Sequence, residues 1–544
     1  MADVYKKYKT YANDVLKGKI IAGKLVKLAC KRYLNWFKRK DIYFDTEEVE
    51  RCIKFIKHLK HTSENHYQKP FELSDFQEFI IYNIYGWKWK KSKLRVTKNV
   101  YIEIARKNGK SAFSAAIVCY ELLKGNPSTE IDFIASNKKQ ASICFDMAKK
   151  FLQTLNLNNK KYFKFYRDKI KFKDSFVQVL SSDGDNNDGF NSSCFICDEF
   201  HAHKSNIFNV LKSSQNARLE PLAISISTAG YNIGGAAYEL HQYCESVLNG
   251  KQQDDTQFSL IFNLDEGDDY RDEKVWKKTN PNLGITVLYD NLRDEVKRAA
   301  TSPSFENECK TKYFNIWCNS KQTWISNDII EKNSKVINLE DFRGFYATGG
   351  IDLAVVRDLT AFSIMVENNG KYYFKTYYYV PQTALENNAN SELYKKWHKQ
   401  GYLIVTPSNT TDYDYILNDL LNINKKYEIL YKSIGYDQFN ATYFAIKGTE
   451  QNLPLQPYSQ AIYNFNKPTK EFERLLLENQ IVIDDNPITK WCFSNVNIKT
   501  DHNDNIKPVK ENLTSNNKID GVISILMSLG VELGQVQIAP QIFT

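Results

Sequence analysis

Three sets of residues have the types and spacing that phosphate chemistry requires. The first is Ala105-Arg106-Lys107-Asn108-Gly109-Lys110-Ser111, where an apolar run passes through a glycine, a lysine and a hydroxyl into a helical pattern. Such a loop cradles phosphates with backbone N–H groups and a helix N-terminus. Lys110 would reach the β- and γ-phosphates, and the Ser111 hydroxyl would hold Mg²⁺. The strict pattern asks for a glycine five residues before Gly109, where this chain has Ile104. The second set, Cys194-Phe195-Ile196-Cys197-Asp198-Glu199, is an apolar strand ending in two adjacent carboxylates. Asp198 suits a nucleotide-bound Mg²⁺, and Glu199 suits activation of the attacking water. Either set alone also fits a plain turn or helix start; together, in this order, they predict an ATPase.

The third set is dispersed. Gly350-Ile351-Asp352-Leu353 and Ser433-Ile434-Gly435-Tyr436-Asp437 each end an apolar strand in a carboxylate, and Asn517-Lys518-Ile519-Asp520-Gly521 opens an apolar helix with one. A single carboxylate of this kind is more often structural than functional. Three converging on one or two divalent ions would activate water and stabilise the leaving oxygen in phosphodiester cleavage. Hard Mg²⁺ or Mn²⁺ prefers such oxygen ligands. Asp358, across a turn from Asp352, is a fourth candidate or a turn residue. Two weaker features accompany the nucleotide motifs. Ser227-Thr228-Ala229-Gly230 ends another apolar strand and could sense the γ-phosphate. Gln77, in Leu73-Ser74-Asp75-Phe76-Gln77, could satisfy adenine's donor and acceptor edge together.

Elements must hold these residues in place. Strands are expected at Val100–Ile104, Ile131–Ala135, Phe176–Leu180, Cys194–Cys197 and Ala223–Ile226, with helices at Ser111–Lys124 and Lys138–Leu155. Strands alternating with helices predict an α/β fold with a mostly parallel sheet covered on both faces. Residues 251–344 are more polar, with an acidic run at Asp265–Glu273 that reads as a solvated loop and a helix at Leu288–Ala300. They read as a helical subdomain and linker. From 345 a second α/β segment opens with strands Ala347–Ile351, Leu359–Val366 and Tyr372–Val380.

Composition bounds the rest. The 544 residues are 42% hydrophobic and 25% charged, which excludes a disordered chain and fits two to four domains. The net charge of +9 is confined to residues 1–69, which hold 17 Lys and Arg against 8 Asp and Glu, leaving 56 of each sign elsewhere. Residues 1–69 therefore read as a basic helical N-terminal appendage, either a solvated face or a surface for a polyanionic partner. No apolar run approaches the roughly 20 residues of a membrane span, and the N-terminus lacks a secretory pattern. The ten cysteines are scattered, and the Cys194/Cys197 pair on a strand suits packing better than zinc. A cytoplasmic chain is expected.

The ordered set of motifs resembles the large terminase subunit of tailed bacteriophages, over nearly the whole length. The resemblance is carried by residues 21–29, Gln77 ahead of Gly86-Trp87, Ala105–Ser111, Ala135–Ala141, Asp198-Glu199-Phe200-His201 and Ser227–Gly230. In the second half it rests on Asp352-Leu353, Asp358–Ala361, Tyr436-Asp437 and Ile519-Asp520-Gly521. Relatives commonly lack the first loop glycine and carry a basic residue where Arg106 stands. The resemblance implies a P-loop ATPase core over 70–250, using ATP with Mg²⁺, and an RNase H-like nuclease over 345–544. It implies Asp352, Asp437 and Asp520 as ligands of two divalent ions, with Asp437 where many relatives have Glu. It implies Gln77, Arg106, Gly109, Lys110, Ser111 and Asp198 at the nucleotide, Glu199 as the base, and Ser227–Gly230 as the coupling segment. The partners it implies are double-stranded DNA, a small terminase subunit, the portal of the procapsid and further copies in a ring, all in the host cytoplasm. Two other readings stay open: a helicase-like translocase whose C-terminal domain does not cut, and a scaffold that binds nucleotide without turnover.

Overall fold

Continuous burial along its central strands decides the first sheet. The computed structural model describes residues 4–534 apart from 62–67, 125, 136–137, 156–161, 181–189, 203–206, 232–234, 319–323, 355, 357, 389, 440 and 511–516. Ser136 and Asn137 of the Ala135–Ala141 motif therefore lie outside the described residues. The described chain divides into two compact units, 1–298 with 309–318, and 299–308 with 319–544.

The first unit holds eight strands: β1 Asn99–Glu103, β2 Glu130–Ile134, β3 Phe163–Phe165, β4 Lys169–Phe172, β5 Ser175–Val179, β6 Cys194–Asp198, β7 Leu222–Ser227 and β8 Gln257–Ile261. Their order is β8-β1-β7-β6-β2-β5-β4-β3. The strands from β8 to β5 are parallel, and β3 and β4 extend the sheet as an antiparallel edge. Along β6, Cys194 and Ile196 enter one apolar cluster while Phe195 and Cys197 enter another on the opposite face. That double burial is what a parallel sheet between helical layers requires.

Three expectations change here. The N-terminal helices α1 Lys6–Leu16, α2 Lys24–Trp36 and α3 Thr46–His58 do not form an appendage. Their apolar stripes, with Val15, Val26, Tyr33, Val49 and Ile53, join the same core as Phe258 and Leu260 of β8. Each helix has too few apolar residues for a core of its own, and the sheet supplies the missing face. The stretch after 250 is not helical at its start. β8 pairs in parallel with β1, Phe258 opposite Val100, and all five of its residues are buried. Gln257 and Ser259 disguised it, and their polarity is met internally by Gln257 Nε2 donating to Ser259 Oγ at 3.1 Å. The acidic run is also more than solvated: Asp265 accepts from Lys24 N at 2.6 Å and Lys278 Nζ at 2.8 Å.

The second unit is built on β9 Ser334–Lys335, β10 Tyr346–Asp352, β11 Thr360–Asn368, β12 Lys371–Pro381, β13 Ile404–Thr406, β14 Leu430–Tyr436, β15 Leu455–Pro457 and β16 Ile481–Asp484. The order is β9-β16-β12-β11-β10-β14-β15, with β13 beside β12. β10, β11 and β12 form an antiparallel meander, and β14 then runs parallel to β10. A hairpin of β17 Val496–Thr500 and β18 Ile506–Lys510 stands apart from this sheet. Among the described residues no helix is long and apolar enough to cross a membrane.

Candidate functional sites

Three parallel strands bring the nucleotide motifs to one edge of the first sheet. β7 lies between β1 and β6, with Glu103 opposite Ser227 and Ile226 opposite Asp198. The loop after β1, the carboxylates ending β6 and the segment Ser227–Gly230 thus meet outside the carboxyl ends of the strands, where open α/β sheets bind ligands. Helix α4 Asp75–Ile81 carries Gln77 in a capping box: Ser74 N donates to Gln77 Oε1 at 3.0 Å.

The loop itself is bent twice into left-handed backbone, at Lys107 (φ 65°) and Gly109 (φ 85°), before helix α5 Lys110–Leu123 begins. A Cβ at Gly109 would lie 3.3 Å from Gln77 Nε2, so the glutamine amide closes over the loop. Lys110 is buried, and its Nζ donates to Ile104 O at 2.9 Å and Ala105 O at 3.3 Å. Burial holds its ammonium pKa below the usual value, opposed by the charges of Glu199 and Asp198. Ser111 is half-buried, and Arg106 is exposed, with its backbone N–H donating to Lys312 O at 2.9 Å.

Asp198 is only 7% exposed, and burial followed by the Glu199 charge raises its carboxyl pKa. Cys144, on helix α6 Lys138–Thr154, donates its thiol to Asp198 Oδ2 at 3.1 Å. Glu199 takes left-handed backbone (φ 52°), a strain of the kind that collects at working sites. Its Oε2 is buried without a hydrogen bond. His201 Nδ1 lies 3.3 Å from that oxygen, near enough for an ion pair but not aligned for a hydrogen bond. Burial lowers the His201 pKa, which disfavours the charged form that such a pair needs. The same Nδ1 instead meets Ser227 Oγ at 2.9 Å. Beyond Ser227, Ala229 N donates to Asn315 Oδ1 at 2.7 Å, and Cys318 N donates to Gly230 O at 3.1 Å.

In the second unit a glycine sets the geometry. Helix α7 Asp520–Glu532 crosses β10 at main-chain contact: a Cβ on Gly350 would fall 2.1 Å from Ser524 O and 2.6 Å from Ser528 N. Thr348 Oγ1 donates to Ser528 O at 3.0 Å, and the Ser363 and Ser524 hydroxyls pair at 2.7 Å. This seating brings Asp520, the first residue of α7, up to Asp352, the last of β10. Burial and then the Asp520 charge raise the Asp352 pKa well above the carboxylate range; Asp437 and Asp358 add to the effect and Lys510 opposes it. Asp520 is raised as well, mainly by burial, with Lys510 opposing. Both residues keep partial surface access, yet their carboxyls are enclosed enough for burial to dominate.

Asp520 Oδ2 is buried with no hydrogen-bond partner. Asp437, following β14, accepts from Phe439 N at 3.2 Å. Asp358 is engaged by Lys518 at 2.7 Å and by Leu359 N at 2.8 Å, as a turn residue would be. Among the described residues no three His, Cys, Asp or Glu side chains already close around one point. The oxygen donors of Asp352, Asp437 and Asp520 are of the type that hard divalent ions take.

Sequence comparison decides the family. A family model for the terminase large subunit endonuclease domain matches residues 251–534, and one for its ATPase domain matches 75–246. The chain belongs to the terminase large subunit family. It has an ATPase domain and an endonuclease domain, the equipment for packaging viral DNA and cutting it. Protein YmfN of Escherichia coli K12 is 32% identical over 360 residues, covering 63% of this chain and 78% of that protein. The large terminase subunit of Enterobacteria phage HK97 is 25% identical over 510 residues, covering 90% and 96%. The crystal structure of the HK97 large terminase aligns with a TM-score of 0.44 at 23% identity, covering 89% of this chain and 99% of that one. The endonuclease match begins at 251, yet β8 belongs to the sheet of the first unit.

Several residues of this large subunit carry no signal that local spacing could reveal. His201 follows Asp198 and Glu199 closely, but nothing in the sequence gives it a role. Asn280 and Asn282 sit in a stretch that reads as linker, with nothing to tie them to the loop. Gln460, whose Nε2 approaches Asp352 Oδ1 at 3.4 Å, and Lys507, which donates to Gln460 O at 2.5 Å, have no local signal at all.

Proposed function

We propose that the first unit binds ATP with Mg²⁺ through Lys110, Ser111 and Asp198, with Arg106 at the terminal phosphate and Gln77 at adenine. Glu199, whose buried Oε2 is left without a hydrogen bond, takes the proton from the attacking water. The contacts running from His201 through Ser227–Gly230 to Asn315 support a coupling role for that segment. In the second unit Asp352, Asp437 and Asp520 hold two divalent ions, Mg²⁺ or Mn²⁺. Bound there, the ions supply an activated water and charge for the leaving oxygen. Asp520 Oδ2 offers the unpaired acceptor, Gln460 orients Asp352, and Lys507 holds Gln460 from the hairpin.

At the level of the particle, the protein works as a homo-oligomeric ring on the portal of a procapsid in the host cytoplasm, with a small terminase subunit as partner. It drives double-stranded DNA inward and cuts the concatemer. The excess positive charge of residues 1–69 supports DNA contact there, with affinity that falls as salt rises.

The observation carrying most of this reading is Asp520 Oδ2, enclosed beside Asp352 and left without a hydrogen-bond partner. Two variants test it. Lys110→Ala abolishes ATP hydrolysis and leaves Mn²⁺-dependent plasmid nicking intact, while Asp352→Asn abolishes nicking and leaves phosphate release intact. Loss of both activities from either folded variant would break the assignment of two separate sites.

A further inference from the structure

The turn at Asn280-Pro281-Asn282 reaches the phosphate loop from a distant part of the sequence, and its contacts continue to the glutamine on the other side. Asn108, Asn280 and Asn282 are buried, at 1%, 1% and 3% exposure. Asn282 N donates to Asn108 Oδ1 at 3.1 Å, and Asn282 Nδ2 donates to Asn108 O at 3.2 Å. Asn108 Nδ2 donates in turn to Asn280 Oδ1 at 2.9 Å and to Arg106 O at 3.1 Å. At its far end Asn282 Oδ1 accepts from Ser74 Oγ at 2.7 Å, and Ser74 N holds Gln77 Oε1. Thr286, from the same turn, donates to Lys107 O at 2.6 Å.

Asn108 sits between Lys107 and Gly109, both in left-handed backbone, so the loop's shape is not one the chain prefers unaided. The amide contacts from the turn hold it there. They also lock its position to Ser74, whose neighbour in the capping box is Gln77. We infer that Asn282 is a positioning residue that fixes the distance between the base-facing glutamine and the phosphate loop. Through that distance it sets how strongly the site prefers a nucleoside triphosphate over a bare polyphosphate. This rests on the reading of Gln77 as the residue at the base. A neutral, buried amide suits this role, because water cannot replace it and a side chain of another length would change the spacing.

The experiment measures inhibition of ATP hydrolysis by the full-length protein, using a non-hydrolysable ATP analogue and inorganic tripolyphosphate. The quantity read is the ratio of the two inhibition constants. Asn282→Ala, and Ser74→Ala, which removes the same bond from a less buried residue, should each shrink the analogue's advantage by about tenfold, the worth of one buried hydrogen bond. The double variant should be no worse than either single one. Equal weakening of both inhibitors would overturn the inference, leaving the turn as structural support only. Gln77→Ala separates the two layers. If it leaves the ratio unchanged, the base-site reading of Gln77 fails and the inference falls with it. If it lowers the ratio while Asn282→Ala and Ser74→Ala do not, only the spacing role fails.

Discussion

Glu103 and Asp352 are both carboxylates that end an apolar strand, and their surroundings could hardly differ more. Glu103, the last residue of β1, is fully buried and fully matched. His241 Nδ1 lies 2.9 Å from its Oε2, the Tyr101 hydroxyl donates at 2.5 Å, Trp317 Nε1 at 3.1 Å, and Asn315 Nδ2 donates to Oε1 at 3.2 Å. Although burial works against it, the His241 charge and these donors hold its pKa below the usual value, and Glu103 raises His241 in return. Asp352 has a second carboxylate as its main electrostatic neighbour and a single long contact from Gln460. A buried charge whose partners are all present holds a fold together. A carboxylate enclosed beside another of its own sign is instead held toward its neutral form, and the fold draws no ion pair from it.

The sharpest way to break this contrast is to remove one member of each pair. His241→Ala leaves Glu103 buried without its cation and should cost about 3–5 kcal/mol, read as a fall in the unfolding midpoint of the first unit in denaturant. Asp520→Asn removes a repulsion and should leave the metal-free second unit at least as stable as before, while abolishing nicking. Equal destabilisation by both would show that the two sites are of one kind. Next in size is metal itself. Mg²⁺ or Mn²⁺ at about a hundred times its dissociation constant should add about 2.7 kcal/mol to the second unit. That gain should vanish in Asp352→Asn.

The pH dependence sharpens the contrast further, because the signs are opposite. His241 is raised in the folded state, so its contribution is present at low pH and is lost as pH rises through the raised value. Glu103 is lowered, so its contribution is present above the ordinary carboxylate value and is lost as pH falls through the lowered one. The first unit should therefore keep a plateau between those limits. Asp352 is raised, which reverses the carboxylate case: in EDTA the second unit should weaken as pH climbs from the ordinary value through the raised one. Unfolding followed from pH 4 to pH 9 (about the range where such groups titrate) checks both curves. The smallest effect expected is that of Lys518→Ala. The pair it makes with Asp358 is partly exposed and should be worth less than about 1 kcal/mol.

Much of the architecture was legible because both sheets are buried on two faces, and double burial writes continuous apolar runs such as Val100–Ile104 and Ala223–Ile226. The loop around Lys110 and the carboxylates at 198, 199, 352 and 520 were legible because each interrupts such a run with a charge. The N-terminal helices misled because their basic outer faces were visible while the sheet completing their core was not. β8 was hidden by two polar residues that satisfy each other. His201, Asn282, Gln460 and Lys507 meet partners up to 208 positions away, as Ser74 and Asn282 do, and local spacing carries no trace of such contacts.

Gly350 has a consequence for how this sequence can drift. Helix α7 meets the main chain of β10 directly at Gly350, so the approach of Asp520 to Asp352 is set there as well as by the side chains packed around it. Exchanges of Val522, Ile525 or Leu526 for other apolar residues alter packing without removing that contact. Position 350, by contrast, admits nothing larger than hydrogen. The packing beside Asp352 and Asp520 can vary while a missing methyl group at that position keeps the gauge.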